Sequence, residues 1–181
     1  MAIKRIGLLG GSFDPVHRSH IDLAKAAIVS LQLDEVQWIP AAQPWQKEDL
    51  HTAAKHRVAM LQLALANYSN MHINTIEIDR GGPTYTYDTV SQLPLNAHYF
   101  WLLGSDQLQN FCSWHRWQDI LSYVDLAVAQ RPASSLNPPL ELASYLQKHQ
   151  KPLYSISFAP SEISATLIRE RLQQHQPVTS Y

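Results

Sequence analysis

The order strand, glycine turn, helix, strand near the N-terminus limits this chain's fold more than any other feature. Ile6, Leu8 and Leu9 form a short apolar run closed by Gly10-Gly11, the pattern of a buried strand ending in a tight turn. A helical pattern follows over residues 18–31, with Ile21, Ala24, Ala27, Ile28 and Leu31 on one face. Val36, Gln37, Trp38 and Ile39 then read as a strand stopped by Pro40. A βαβ unit of this kind implies a parallel sheet.

The rest of the chain continues the alternation. Thr52 is placed to cap a helix on which Val58, Leu61 and Leu65 share a face. Residues 72–78 alternate like a strand, 80–83 form a glycine-rich loop, and 86–93 predict a short helix. A buried strand over 99–103 ends at Gly104. A helix over 117–123 precedes a strand over 125–129, and the Pro- and Ser-rich stretch 131–139 is too short to link domains. Residues 154–158 are the last strand and 164–174 the last helix. The expected fold class is α/β: a single doubly wound, Rossmann-like parallel sheet with helices on both faces, in one domain over residues 1–181. Ligands in such sheets bind beyond the carboxyl ends of the strands, where Gly10, Gly11 and Gly104 would lie.

Composition narrows the partners. With 181 residues the chain suits one domain, and 45% hydrophobic against 16% charged residues is a globular balance. A net charge of -1 argues against a nucleic-acid coat, so any bound anion must be held by a local arrangement. The single cysteine, Cys112, cannot form an internal disulfide, which fits a reducing compartment. The segment before Gly10 is too short for a signal-peptide core, and no apolar run reaches membrane-spanning length. The expectation is a soluble cytoplasmic protein with neither nucleic-acid nor membrane partners; oligomeric state is not legible.

GGSFDPVHRSH, residues 10–20, carries the strongest chemical signal. It spans the strand-to-helix turn, where glycines let a phosphate approach the backbone and the N–H groups of the first helical turn face it. His17 and His20 share one side of the helix start and could donate hydrogen bonds to a polyphosphate as its charge shifts. The segment is neither a Walker A loop nor G-x-G-x-x-G. Two plainer readings stand beside this one. His-x-x-His can be a metal pair, as can Cys112 with His115, although zinc needs three or four converging ligands. Two histidines at a helix start can also simply cap it.

The second signal is ISATLIRERL, residues 163–172. Ser164 and Thr166 bracket a helix start and can offer donors to an anion, while Arg169 can point back over that turn with a fork suited to phosphate. A capping serine and a solvated arginine are the plain alternative.

Taken together, these motifs bring out a family likeness. The first resembles the G-x-F-D-P-x-H-x-G-H signature of the HxGH nucleotidyltransferase superfamily, and the second its distal S-x-T-x-x-R signature. Within that superfamily the chain is similar to the nicotinate-nucleotide adenylyltransferases, bacterial enzymes of NAD synthesis. Ile39-Pro40 with Lys47 is similar to that family's strand end and lysine loop. Gly82 to Thr86 resembles its P-S-Y-T segment, Gly104-Ser105-Asp106 its G-x-D turn, and Ser113 to Trp117 its T-W-x-x-W/F stretch. The likeness runs from Ile6 to Leu172.

The resemblance implies adenylyl transfer from ATP, with Mg²⁺, to the 5′-phosphate of nicotinate mononucleotide, giving deamido-NAD and pyrophosphate. Its partners would be ATP and a pyridine mononucleotide. It casts His17, His20, Arg169 and Lys47 as catalytic. It places Gly11, Ser12, Phe13, Gly104, Asp106, Ser164 and Thr166 on ATP, alongside His17, His20 and Arg169. Ser12 and Phe13 would lie against the nucleotides through side chain and backbone. Thr84, Tyr85 and Thr86 would present backbone groups to the pyridine carboxylate, and Trp114 would stack on the ring. Arg131 stands where a substrate phosphate could reach it. No protein metal site is implied.

Three departures from the family pattern appear. Ser19 replaces the glycine between the histidines, adding a side chain where phosphate is expected. Ala133 replaces the glycine after Arg-Pro. The family's last apolar helix is expected to be short or missing before Tyr181. Alternatives are a superfamily relative that uses nicotinamide mononucleotide or phosphopantetheine, and a nucleotide-binding sensor without turnover.

Overall fold

Strand β1 (Lys4–Gly11) lies at the centre of the sheet, and helix α1 (Arg18–Leu31) returns the chain to strand β2 (Glu35–Pro40) beside it. The structure is a computed structural model describing residues 3–44, 50–130, 135–158 and 163–179. On α1 the buried positions are Ile21, Ala24, Ala27 and Leu31, the predicted stripe except for Ile28, which is half-buried, and Gln32 ends the helix in the left-handed region. Next come β3 (Gln43–Pro44), α2 (Ala54–Leu65), β4 (Met71–Ile73), α3 (Ile76–Arg80), β5 (Pro83–Thr84) and α4 (Thr86–Val90). Strand β6 (Ala97–Gly104) leads into α5 (Ser105–Asn110), a 3₁₀ turn (Phe111–Ser113) and α6 (Trp117–Ile120). Then follow β7 (Val124–Gln130), α7 (Leu140–Lys148), β8 (Leu153–Ser157) and α8 (Ala165–Gln173).

Six strands pair in the order β4-β2-β1-β6-β7-β8, all parallel, and β3 pairs with β5 in a small second sheet. The chain winds outward from β1 to β4, then restarts at β6 on the other side of β1. The order therefore reverses between β1 and β6, the switch point where such sheets open a crevice. Side chains along each strand alternate between two cores. Ile6, Leu8, Tyr99, Trp101, Leu126 and Val128 pack with α5, α6 and α7 on one face. Leu9, Val36, Trp38, Phe100, Leu102 and Ala127 pack with α1 and α2 on the other. A sheet buried on both faces explains the unbroken apolar runs, each large side chain contributing about 1.5–3 kcal/mol. The architecture is the doubly wound, Rossmann-like α/β fold expected.

Some local expectations are corrected. Residues 72–78 are not one strand: β4 stops at Ile73, and the Asn74 side chain accepts the Ile76 amide and turns the chain into α3. Thr52 does not cap α2; Ala53 holds that position, and the Thr52 carbonyl accepts from Arg57 instead. The inward stripe of α2 is Arg57, Leu61 and Leu65, with Val58 half-buried. Helix α7 lies where no helix was expected, although Leu142, Tyr145 and Leu146 carry its period. Among the described residues no helix is long and apolar enough to cross a membrane.

Candidate active site

Glycines shape the floor of the crevice. A side chain on Gly10 would meet the Trp101 ring at 2.8 Å, so glycine here leaves room for that ring beneath the crevice. A side chain on Gly104 would meet nothing within 4 Å, because that residue opens onto the crevice. After Gly11 and Ser12 the backbone turns through Phe13 in the left-handed region, with φ 47°. The Phe13 ring is only 1% exposed, packed against Trp38 and edge-on to His20. The Phe13 ring thus belongs to the packed core, and Phe13 is not among the residues that line the crevice.

The two motif histidines stand together at the start of α1. His17 occupies the N-cap, and the ring centroids of His17 and His20 are 3.8 Å apart. The His17 backbone N–H donates to His20 Nδ1 at 3.3 Å. Accepting at Nδ1 leaves the neutral His20 ring's proton on Nε2, a donor. His17 Nδ1 is buried without a hydrogen-bond partner, and burial holds that ring's pKa below its ordinary value.

The distal motif folds back onto this turn. Ser164 caps α8, its Oγ accepting the Leu167 amide at 3.1 Å. Arg169 donates to Thr166 Oγ1 at 3.2 Å and to the Asp14 carbonyl at 2.6 Å. Ser19 Oγ donates to the Ile163 carbonyl at 3.4 Å. The serine standing in for glycine therefore touches the second motif. Lys47, Arg131, Ala133 and Tyr181 lie outside the described residues.

A buried cation fixes the crevice wall from behind. Arg57 is fully buried and donates to three carbonyls: Ser12 and Ala41 at 2.7 Å each, and Thr52 at 3.1 Å. Burial lowers its pKa, an effect opposed by Asp14. Asp14 is itself buried, its carboxylate accepting the His51 amide at 2.8 Å. Sequence reasoning missed Arg57, although its spacing of four from Leu61 and eight from Leu65 put it on the inward stripe.

The crevice is open, with a volume of about 250 Å³, and it brings together Gly11, Ser12, Gly104, Thr84, Thr86 and Trp114. Asp106 sits exposed in the first turn of α5, beside Gly104 but not lining the crevice. Thr84 is buried in β5, its Oγ1 accepting the Gln43 amide. Tyr85 caps α4, and its ring lies 4.9 Å from that of His115. Trp114 packs edge-on against Trp101 and tilted against Phe111.

Glu77 also lines the crevice, and no motif marks it. Its residue is 4% exposed and its Oε1 accepts from Thr89 Oγ1 at 2.6 Å. Burial pushes its pKa up to about 7, against the opposing effects of Thr89 and Arg80. Among the described residues no three His, Cys, Asp or Glu side chains converge as a metal group.

Comparison with known proteins agrees with this architecture. Residues 8–171 match the family described as cytidylyltransferase-like. A probable nicotinate-nucleotide adenylyltransferase of Bordetella pertussis is 56% identical over 172 residues, covering 95% of this chain and 87% of the relative. One from Bordetella petrii is 56% identical over 170 residues, covering 94% and 87%. The structure of Plasmodium falciparum nicotinic acid mononucleotide adenylyltransferase complexed with NaAD superposes with a TM-score of 0.73. That match has 24% identity, covers 96% of this chain and 86% of the other, and speaks for the fold alone. With its crevice at the switch point of a parallel sheet and this identity along nearly its whole length, the chain belongs to the cytidylyltransferase-like family, among the nicotinate-nucleotide adenylyltransferases.

Proposed function

We propose that this protein transfers AMP from ATP to the 5′-phosphate of nicotinate mononucleotide, releasing pyrophosphate and forming deamido-NAD. The observation that carries this reading is the crevice itself. It joins Thr84, Thr86 and Trp114 in one space with Gly11 and Ser12, the start of the turn that leads to the His17–His20 pair and whose Asp14 carbonyl accepts from Arg169.

The acceptor phosphate oxygen attacks the α-phosphorus of ATP, and pyrophosphate departs from the opposite side. A phosphate is already nucleophilic at neutral pH, so no side chain forms a covalent intermediate. Catalysis rests on alignment and charge stabilisation. His20 Nε2–H and His17 donate to the phosphates, and Lys47 and Arg169 offset their charge. Backbone at Gly11 and Ser12 lies along the nucleotides, and Ser164 and Thr166 border the triphosphate. Gly104 and Asp106 take the adenosine. Thr84, Tyr85 and Thr86 present amides to the pyridine carboxylate, and Trp114 stacks on the ring.

Mg²⁺ fits this site as a companion of ATP. Asp14, the carboxylate of the first motif, is buried and already accepts the His51 amide, so phosphates and water would supply most ligands. The ion would neutralise phosphate charge.

The test is a panel of acceptors incubated with ATP and read as pyrophosphate. Release with nicotinate mononucleotide above all others is expected. Release only with phosphopantetheine, or ATP binding without release, would overturn the proposal.

A further inference from the structure

We propose that Glu77 is a positioning residue for the acceptor, setting the Tyr85 carbonyl through the shared hydroxyl of Thr89. This rests on the function proposed above.

Thr89 is a fully buried hydroxyl between three groups. Its Oγ1 lies 2.6 Å from Glu77 Oε1, 3.4 Å from the Tyr85 carbonyl and 3.2 Å from Arg80 Nη2, which donates to it. A hydroxyl has one proton, so it serves either the carboxylate or the carbonyl. While Glu77 is ionised, the shorter bond to the carboxylate takes that proton. Once Glu77 is protonated it can donate to Thr89, which then donates to the Tyr85 carbonyl. The charge on Glu77 is thus relayed to the backbone between Thr84 and Thr86, both of which line the crevice. Glu77 borders the same space, so its ionised form also repels an anionic acceptor.

The surroundings leave Glu77 able to titrate in the working range. From α4, Thr89 reaches it, and from its own helix Arg80 acts on it. Strand β2, packed against α3, carries one charged residue, Glu35, which is engaged by Lys4 and Gln37. The crevice residues Trp114, Thr86 and Gln107 are uncharged. Burial outweighs the Thr89 hydrogen bond and the Arg80 charge and raises the pKa of Glu77 to about 7.

The experiment measures kcat and KM for each substrate separately between about pH 6 and pH 8.5, in wild type, Glu77→Gln, Thr89→Val and Thr89→Ser. Every other titrating group is common to both proteins, so the difference between wild type and Glu77→Gln isolates Glu77. The wild-type KM for nicotinate mononucleotide should rise about fivefold across this range relative to Glu77→Gln, with the KM for ATP unaffected. Thr89→Val should raise the acceptor KM about fivefold with kcat within about twofold, and Thr89→Ser should restore it. Superimposable pH profiles for wild type and Glu77→Gln would overturn the proposal. So would parallel changes in both KM values, the mark of a merely structural role. If the wild type releases no pyrophosphate with any pyridine mononucleotide, the functional reading itself has failed and takes this proposal with it.

Discussion

The Arg169 guanidinium donates to the carbonyl oxygen of Asp14 at 2.6 Å, joining two motifs 155 residues apart. Its other arm holds Thr166, so one planar group registers the start of α8 against the β1–α1 turn. A lysine could keep the charge but satisfy only one of these acceptors. Arg169→Ala should lower kcat/KM for ATP by about 2 kcal/mol, or roughly thirtyfold, and Arg169→Lys by about half that in free energy. Steady-state kinetics with ATP varied checks this; equal losses would assign Arg169 to packing.

His20 should matter through turnover more than through affinity. Its Nδ1 is occupied by the His17 amide, which directs the donor Nε2–H elsewhere. Removing a preorganised donor to developing charge costs ~3 kcal/mol, or about two orders of magnitude in kcat. His20→Ala should show that loss with a much smaller change in ATP affinity. Near-normal turnover would sink the catalytic assignment.

Glu77 gives stability a pH dependence of definite sign. Its folded-state pKa is about 7, raised from 4.5 by burial. Between those values the folded protein keeps a proton that the unfolded chain has lost. That contribution is present in full below about pH 4.5, declines as pH rises, and is gone above about pH 7. The ceiling is about 3 kcal/mol. In urea unfolding, Glu77→Gln should resemble wild type near pH 5 and exceed it in stability near pH 8. A constant offset at both pH values would contradict the assignment.

Arg57 should be the costliest single removal in the crevice wall. Arg57→Met keeps the apolar stem but leaves the carbonyls of Ser12, Ala41 and Thr52 without their shared donor. A loss of about 3–5 kcal/mol is expected. A urea midpoint within error of wild type would show that water replaces the guanidinium.

These residues mark where the sequence was legible and where it was not. The βαβ start could be read because Leu8, Leu9, Val36 and Trp38 sit in a sheet buried on both faces, so apolar runs and glycine turns coincide with strand ends. Helix α1 could be read because its buried face recurs at helical spacing. His17, His20 and Arg169 could be singled out because their motifs are local. Glu77 and Arg57 could not, because a lone charge inside an amphipathic segment looks the same whether it faces solvent or a buried partner. What decides is a carbonyl or hydroxyl brought in from elsewhere: Ser12 for Arg57, Thr89 for Glu77. The expected strand over residues 72–78 failed for a similar reason. Its alternation was real, but the Asn74 side chain and the burial of Glu77 favour a turn and a short helix.

The choice between nicotinate and nicotinamide mononucleotide rests on what the Thr84–Thr86 turn can offer. The Tyr85 carbonyl lies 3.4 Å from both the amide and the hydroxyl of Thr89, so this acceptor is turned inward. Thr84 Oγ1 is likewise occupied by the Gln43 amide. Thr86 opens α4, so its N–H has no acceptor within the helix and is the group this turn can offer a ligand. A carboxylate satisfies such donors, whereas an amide sets its own NH₂ against one of them at a cost of ~1–3 kcal/mol. The acid should therefore be preferred at least about tenfold in kcat/KM, measured near pH 6.5 where Glu77 is largely protonated. Trp114→Ala should weaken both substrates, since stacking serves either ring. Comparable efficiency of the wild type on the two mononucleotides would refute the donor-only turn and make this a dual-specificity enzyme.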